Sequence, residues 1–134
     1  MTDTLRFEGL TLTVENVERS IAFYSGKLGL KLEWNAVPAF AMLRLGTGTI
    51  GLLSIDEARK EGVVDSTPAQ KRAIHVELST DDLEGLYESL KAAGVEFHQP
   101  PHDEPWERSM TAFDPDGYAV EFAQGKRGHN QTKP

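Results

Sequence analysis

The chain has no cysteine. That excludes a disulfide framework and any thiolate metal site, and it suits a reducing compartment. It also lacks an excess of positive charge: 14 lysines and arginines stand against 21 acidic residues, a formal charge of −7. Such a balance argues against a nucleic-acid or anionic-membrane partner. No apolar run approaches the roughly 20 residues that a membrane-spanning helix needs. The first residues, MTDTLRFEGL, show neither the basic nor the apolar region of a secretory signal. A soluble, cytoplasmic protein is expected. No phosphate-binding glycine loop and no nucleophile triad can be picked out.

What is present is ordinary globular material with a repeat inside it. The 134 residues fit one domain and suffice for a real core, with 39% hydrophobic and 26% charged residues. The segment TLTVENVERSIAFYSGKLGLKL has a counterpart in VELSTDDLEGLYESLKAAGVEF, with Val17 aligned to Leu83 and Gly29 to Gly94. Each copy reads strand, polar cap, amphipathic helix, glycine stop, strand. Val17, Ile21, Tyr24 and Leu28 form one apolar stripe, and Leu83, Leu86, Leu90 and Ala93 the other. Asn16 is the expected cap of the first helix, and Asp81 with Glu84 forms an expected capping box for the second. Gly29 and Gly94 stand where a helix end calls for a left-handed residue.

Further strands complete each copy. In the first, strands are expected at 5–14, 30–34, 40–45 and 49–55. In the second they fall at 73–80, 95–99, 108–113 and 118–123, the last two joined by the turn Asp114-Pro115-Asp116-Gly117. The fold class is therefore α+β, with two βαβββ modules over 5–55 and 72–124. Residues 56–71 are the linker, with room for a short helical turn, and 125–134 a frayed tail, all within one domain, 1–134. Strand alternation puts Leu10, Leu12 and Val14 on the helix side and Phe7, Gly9, Thr11 and Thr13 opposite. In the second module His75, Glu77, Ser79 and Glu121 fall on the face away from the helix. Such a half-polar face suits a ligand site and equally suits a solvent-facing sheet.

These segments, with DPDGYAVEF, resemble the vicinal oxygen chelate superfamily of glyoxalase I, extradiol dioxygenases, and fosfomycin- and bleomycin-resistance proteins. The likeness runs over residues 5–124. It implies mixed sheets curled into a cup and a homodimer, often with each cup joining the first half of one chain to the second half of its partner. It also implies metal ligands on the first and fourth strands of each half. His75 and Glu121 occupy two of those positions, while Gly9 and Gly51 occupy the others and offer no side chain. A divalent ion (Fe, Mn, Zn or Ni) held by His75 and Glu121 would need further donors. These could come from Glu8, His98, His102, Asp103, Glu107 or a chelating substrate. Without a metal, the same pair suits acid–base chemistry.

Trp106 and Arg108 match a family segment that borders the cup, with Glu107 where a glycine is usual. Trp34, Phe40 and Met42 are further ligand-lining candidates, the last two sharing a strand face with Arg44 whose side the sequence leaves open; plain core is the competing reading. Two functions follow from the resemblance. One is a glyoxalase- or bleomycin-resistance-like binder of a small molecule, with an incomplete metal site, sequestering a drug or metabolite. The other is a metal-dependent lyase or dioxygenase working through His75 and Glu121. A pure dimerisation module, with its cup filled by side chains, is a third.

Overall fold

The structure is a computed structural model; it describes residues 4–62 and 65–125. The chain divides into two compact units, Met1–Asp65 and Ser66–Pro134. The predicted tail from residue 126 on lies outside the described residues.

The first unit runs β1 (Gly9–Val14), α1 (Val17–Ile21), β2 (Lys31–Ala36), β3 (Phe40–Leu45), β4 (Gly48–Ser54) and α2 (Ile55–Lys60). Its four strands lie in the order β1-β4-β3-β2, with β1 parallel to β4 and the rest antiparallel. The second unit runs α3 (Pro68–Arg72), β5 (His75–Ser79), α4 (Leu83–Ala92), β6 (Phe97–Asp103), β7 (Glu107–Phe113) and β8 (Ala119–Gly125). Its sheet repeats the pattern as β5-β8-β7-β6, with β5 parallel to β8. Both βαβββ modules are thus present, each an α+β unit.

Five details depart from the sequence expectations, each for a local reason. First, β1 begins at Gly9, not Leu5. Its partner β4 starts only at Gly48, so residues before Gly9 have no ladder to join, and Leu5 and Phe7 are exposed. Second, α1 continues as a π-helical segment, Ala22–Lys27, with Leu28 N–H bonded to the Phe23 carbonyl. The wider turn brings Phe23 and Tyr24 in together. The buried set becomes Val17, Ser20, Phe23 and Tyr24, while Ile21 and Leu28 are half-buried.

Third, the cap of α4 is Asp82, whose carboxylate accepts from Gly85 N–H at 3.0 Å, one residue beyond the expected Asp81. Asn16 caps α1 as expected, accepting from Arg19 N–H. Fourth, the stretch 56–71 holds two short helices. α2 is capped by Ser54, and α3 by a full Thr67–Gln70 capping box. The strand β6 extends through Pro100 and Pro101. An edge strand with a shifted register tolerates residues that donate no ladder bond. Gly29 and Gly94 hold φ of 86° and 90°, the left-handed stops anticipated at both helix ends.

One face of each sheet is covered by helix and forms the core. Leu12, Val14, Ala41, Leu43 and Leu52 are buried in the first unit, and Val76, Met110, Ala112, Val120 and Phe122 in the second. The opposite faces carry His75, Glu121, Phe40, Met42 and Trp34.

Candidate functional site

The register of the first sheet fixes the face away from α1. Thr11 pairs with Gly51, Thr13 with Leu53, Met42 with Gly51, Phe40 with Leu53 and Trp34 with Met42. Directly paired residues point the same way, so Phe40, Met42 and Trp34 all stand on this face. Phe40 and Met42 are half-buried, whereas Trp34 is 63% exposed. Arg44 lies on the same face. A bulge in β2 turns the Glu33 carboxylate onto it, with Nε–Oε2 at 2.6 Å and Nη2–Oε1 at 3.0 Å. That bidentate bond holds the Glu33 carboxyl below the usual glutamate range.

This face also carries a hollow of about 710 Å³ lined by Thr11, Thr13, Ala39, Phe40, Leu53, Glu57 and Glu61. The carboxylates reach it because α2 follows β4 without a loop and presents Glu57 and Glu61 four residues apart, on one side of the helix end. Sequence reasoning left both in a linker; their spacing after a serine cap was the signal available. Thr11 and Thr13 were placed on this face by strand alternation but not advanced as lining.

The helix-free face of the second sheet has a different chemistry. Glu77 pairs with Glu121 across β5 and β8, Thr111 faces Glu121 across β7, and His75 opens β5 opposite Ala119. Burial pushes the Glu121 carboxyl up. The neighbouring charges of Glu107 and Glu77 add to the shift, His75 opposes it, and a hydrogen bond with Glu77 favours the protonated form. The hydrogen-bonding neighbour of Glu121 is thus another carboxyl group. Glu77 is the member of this cluster that the sequence placed correctly without giving it a part.

Arg108 sits one residue out of phase with this face. Its guanidinium bonds Glu84 of α4 at 2.7 Å and Asp103 of β6 at 3.1 Å. It ties the helix to the sheet on the covered side, and both carboxylates hold its pKa above the ordinary value. Trp106 is 64% exposed in the β6–β7 connection, a tight turn closed by Glu104 N–H to the Glu107 carbonyl at 2.7 Å. Of the other possible donors, His98 lies against the Phe113 ring, and His102 bonds the Pro100 carbonyl at 2.9 Å and approaches Glu104 at 3.3 Å.

The donor set can be tested against the metal centre that the resemblance implies. His75 and Glu121 supply side chains. Gly9 cannot: its φ of 152° is glycine territory, and a Cβ there would run into the carbonyl and hydroxyl of Thr49. At Gly51 a Cβ would lie 2.7 Å from Thr11 Oγ1 and 3.2 Å from the Phe40 ring. The two positions are therefore closed by neighbouring atoms. Among the described residues no group of three His, Cys, Asp or Glu side chains is gathered to hold an ion. These residues do not fit a four-ligand centre.

Comparison with known proteins gives this geometry a context. The family model described as Glyoxalase/Bleomycin resistance protein/Dioxygenase superfamily matches residues 6–122. A probable lactoylglutathione lyase of Vibrio cholerae is 28% identical over 124 residues, covering 88% of this chain and 89% of that one. The crystal structure of a glyoxalase/bleomycin resistance protein/dioxygenase from Nocardioides superposes with a TM-score of 0.79 at 28% identity, over 92% of this chain and 85% of that one. TioX from Micromonospora shares the fold, with a TM-score of 0.72 at 20% identity over 90% of this chain and 99% of that one.

Proposed function

The chain belongs to the Glyoxalase/Bleomycin resistance protein/Dioxygenase superfamily, and from that premise we propose that it binds a small organic molecule at an incomplete metal site and sequesters it as a drug or metabolite. The observation that carries this reading is the closure of Gly9 and Gly51 by Thr49, Thr11 and Phe40. A metalloenzyme of this family pattern needs donors at those positions, and here aromatic and hydroxyl groups take the space. Half-buried Phe40 and Met42, with exposed Trp34, offer the apolar contact a small ligand uses. Homodimerisation of single-domain chains and a cytoplasmic location belong to the same proposal; light scattering and cell fractionation test them.

Metal analysis of protein purified without chelator, alongside a His75→Ala variant, tests the central claim. Substoichiometric metal, unchanged by the substitution, is expected. One metal per chain that disappears with His75 would overturn the proposal.

One observation favours an enzymatic reading in second place. His75, Glu77 and Glu121 gather on one face with the Glu121 carboxyl shifted up, and the Vibrio cholerae relative is named as a lyase. Lactoylglutathione formation and breakdown, assayed with and without added Zn²⁺ or Ni²⁺, discriminates the two. No rate above background is expected; a rate abolished by His75→Ala would replace sequestration with catalysis.

A further inference from the structure

We infer that the segment 5–9 of the first unit is the seam of a homodimer, in which it pairs antiparallel with the same segment of a second copy about a twofold axis at Phe7. The inference rests on the homodimer included in the reading above and names the surface that forms it.

The segment has the pattern of a strand without a strand's neighbour. Leu5 and Phe7 alternate with Arg6 and Glu8. Within its own chain, however, β1 opens only at Gly9 and stands at the edge of the sheet order β1-β4-β3-β2. Phe7 is 83% exposed and Leu5 69%. Two large apolar side chains this open to water, two residues apart beside a sheet edge, are what an added strand covers.

The backbone already faces the right way. The Glu8 carbonyl accepts from Thr49 Oγ1 at 2.6 Å, on the β4 side. In an extended strand, neighbouring residues direct their backbone groups to opposite edges, so those of Phe7 face away from β4. Two copies with Phe7 on the axis exchange both backbone bonds, N–H to C=O in each direction.

The charges choose the occupant. About that axis Arg6 stands opposite Glu8 of the second copy, and Glu8 opposite Arg6 of the second copy. Leu5 stands opposite Gly9, which has no side chain to meet it. Both ion pairs fall at non-hydrogen-bonded positions, where opposed side chains approach most closely. Arg6 and Glu8 are exposed, with Arg6 reaching the Leu5 carbonyl of its own segment at 3.0 Å. Slipping the register by one residue on each strand sets Arg6 against Arg6 or Glu8 against Glu8. A parallel pairing in register does both. The segment is therefore complementary to itself in the one arrangement centred on Phe7. A seam of five residues a side is short, and a dissociation constant on the order of 10 μM is expected.

Sedimentation velocity of the full chain over a concentration series reads the dimer. Native mass spectrometry of isotope-labelled and unlabelled proteins reads which copies pair. Arg6→Glu creates two like-charge pairs across the seam, and so does Glu8→Arg; each is expected to raise the dissociation constant about tenfold. Mixing these two variants sets opposite charges together again, so heterodimer is expected in excess over its statistical share. Arg6→Glu/Glu8→Arg in one chain is expected to dimerise like the parent. Phe7→Ser weakens the dimer about tenfold. All three side chains are exposed in the single chain, so unchanged melting of the monomer is expected and confirms that the variants fold.

A dimer indifferent to both single reversals overturns the inference and leaves the homodimer standing on another surface. So do reversals that weaken the dimer with no recovery in the mixture or in the double reversal. A chain that remains monomeric at about 1 mM overturns the inference and the homodimer together.

Discussion

The two units share strand order, strand direction and glycine helix stops, yet their open faces have parted. The first is floored by Phe40, Met42 and Leu53, with Gly9 and Gly51 drawn tight against their neighbours. The second carries Glu121 within electrostatic reach of Glu107, Glu77 and His75. The arginines of the two third strands, at positions that do not correspond, also lie on opposite sides. Arg44 lies on the open face of its sheet, held by Glu33, and Arg108 on the covered face of its own, held by Glu84 and Asp103. The difference shows that a duplicated backbone preserves the core-facing parity strictly. The open faces, by contrast, have diverged in residue chemistry.

The sharpest way to break this comparison is to put a ligating side chain back. Gly9→His must displace the Thr49 backbone and accept a glycine-only φ, so a loss of about 3 kcal/mol or more is expected in urea unfolding. No gain in Ni²⁺ affinity should accompany it. A stable, metal-binding Gly9→His protein would show that the first unit has only lost side chains, not closed over their place.

Gly51→Glu meets the end of a side chain and a ring edge, which yield more easily. A cost of about 1–3 kcal/mol is expected, and the cost should shrink when measured in a Phe40→Ala background. An unchanged penalty in that double-variant cycle would mean that Phe40 is not what fills the position.

Arg108→Ala should cost up to about 1 kcal/mol, because its two ion pairs are partly solvated. A loss of ligand binding with unchanged thermal stability would instead return Arg108 to the ligand-lining set.

The smallest effect belongs to Glu121. Its folded pKa is raised, so the native state holds that proton more tightly than the unfolded chain does. The associated stability is complete below the unfolded glutamate pKa and is lost as pH rises through the folded value. Glu121→Gln should therefore flatten the fall in melting temperature across that window and melt slightly higher than the parent at neutral pH. A variant that melts lower at neutral pH, with the slope intact, would mean that the carboxylate is compensated by an unrecognised cation.

Much of this fold could be read from the residues, because alternation and helix stops are local properties. Leu12 and Val14 against Thr11 and Thr13, Val76 against His75 and Glu77, and the left-handed Gly29 and Gly94 all follow from neighbours along the chain. The displaced features depend on tertiary partners. Whether Leu5 to Glu8 join a strand is decided by where β4 begins, some 40 residues on. The choice between Asp81 and Asp82 as a cap turns on one φ/ψ pair. The π-helical segment, which buries Phe23 and Tyr24 together, depends on the core they enter. As for the site, parity found the polar wall around Glu121. The hollow of the first unit stayed hidden because its carboxylates sit on α2, beyond the last strand of the module.

In each unit the first strand made is paired only with the last: β1 with β4, and β5 with β8. The chain must hold β1 in reserve while the β2–β4 meander forms by short-range closure, and only then recruit it across a long loop. Pulse-labelled hydrogen exchange should accordingly protect β3 and β4 before β1. On that order the closure of Gly9 over Thr49 would come among the last events in folding, and the surface that distinguishes the first unit would exist only once its sheet is complete.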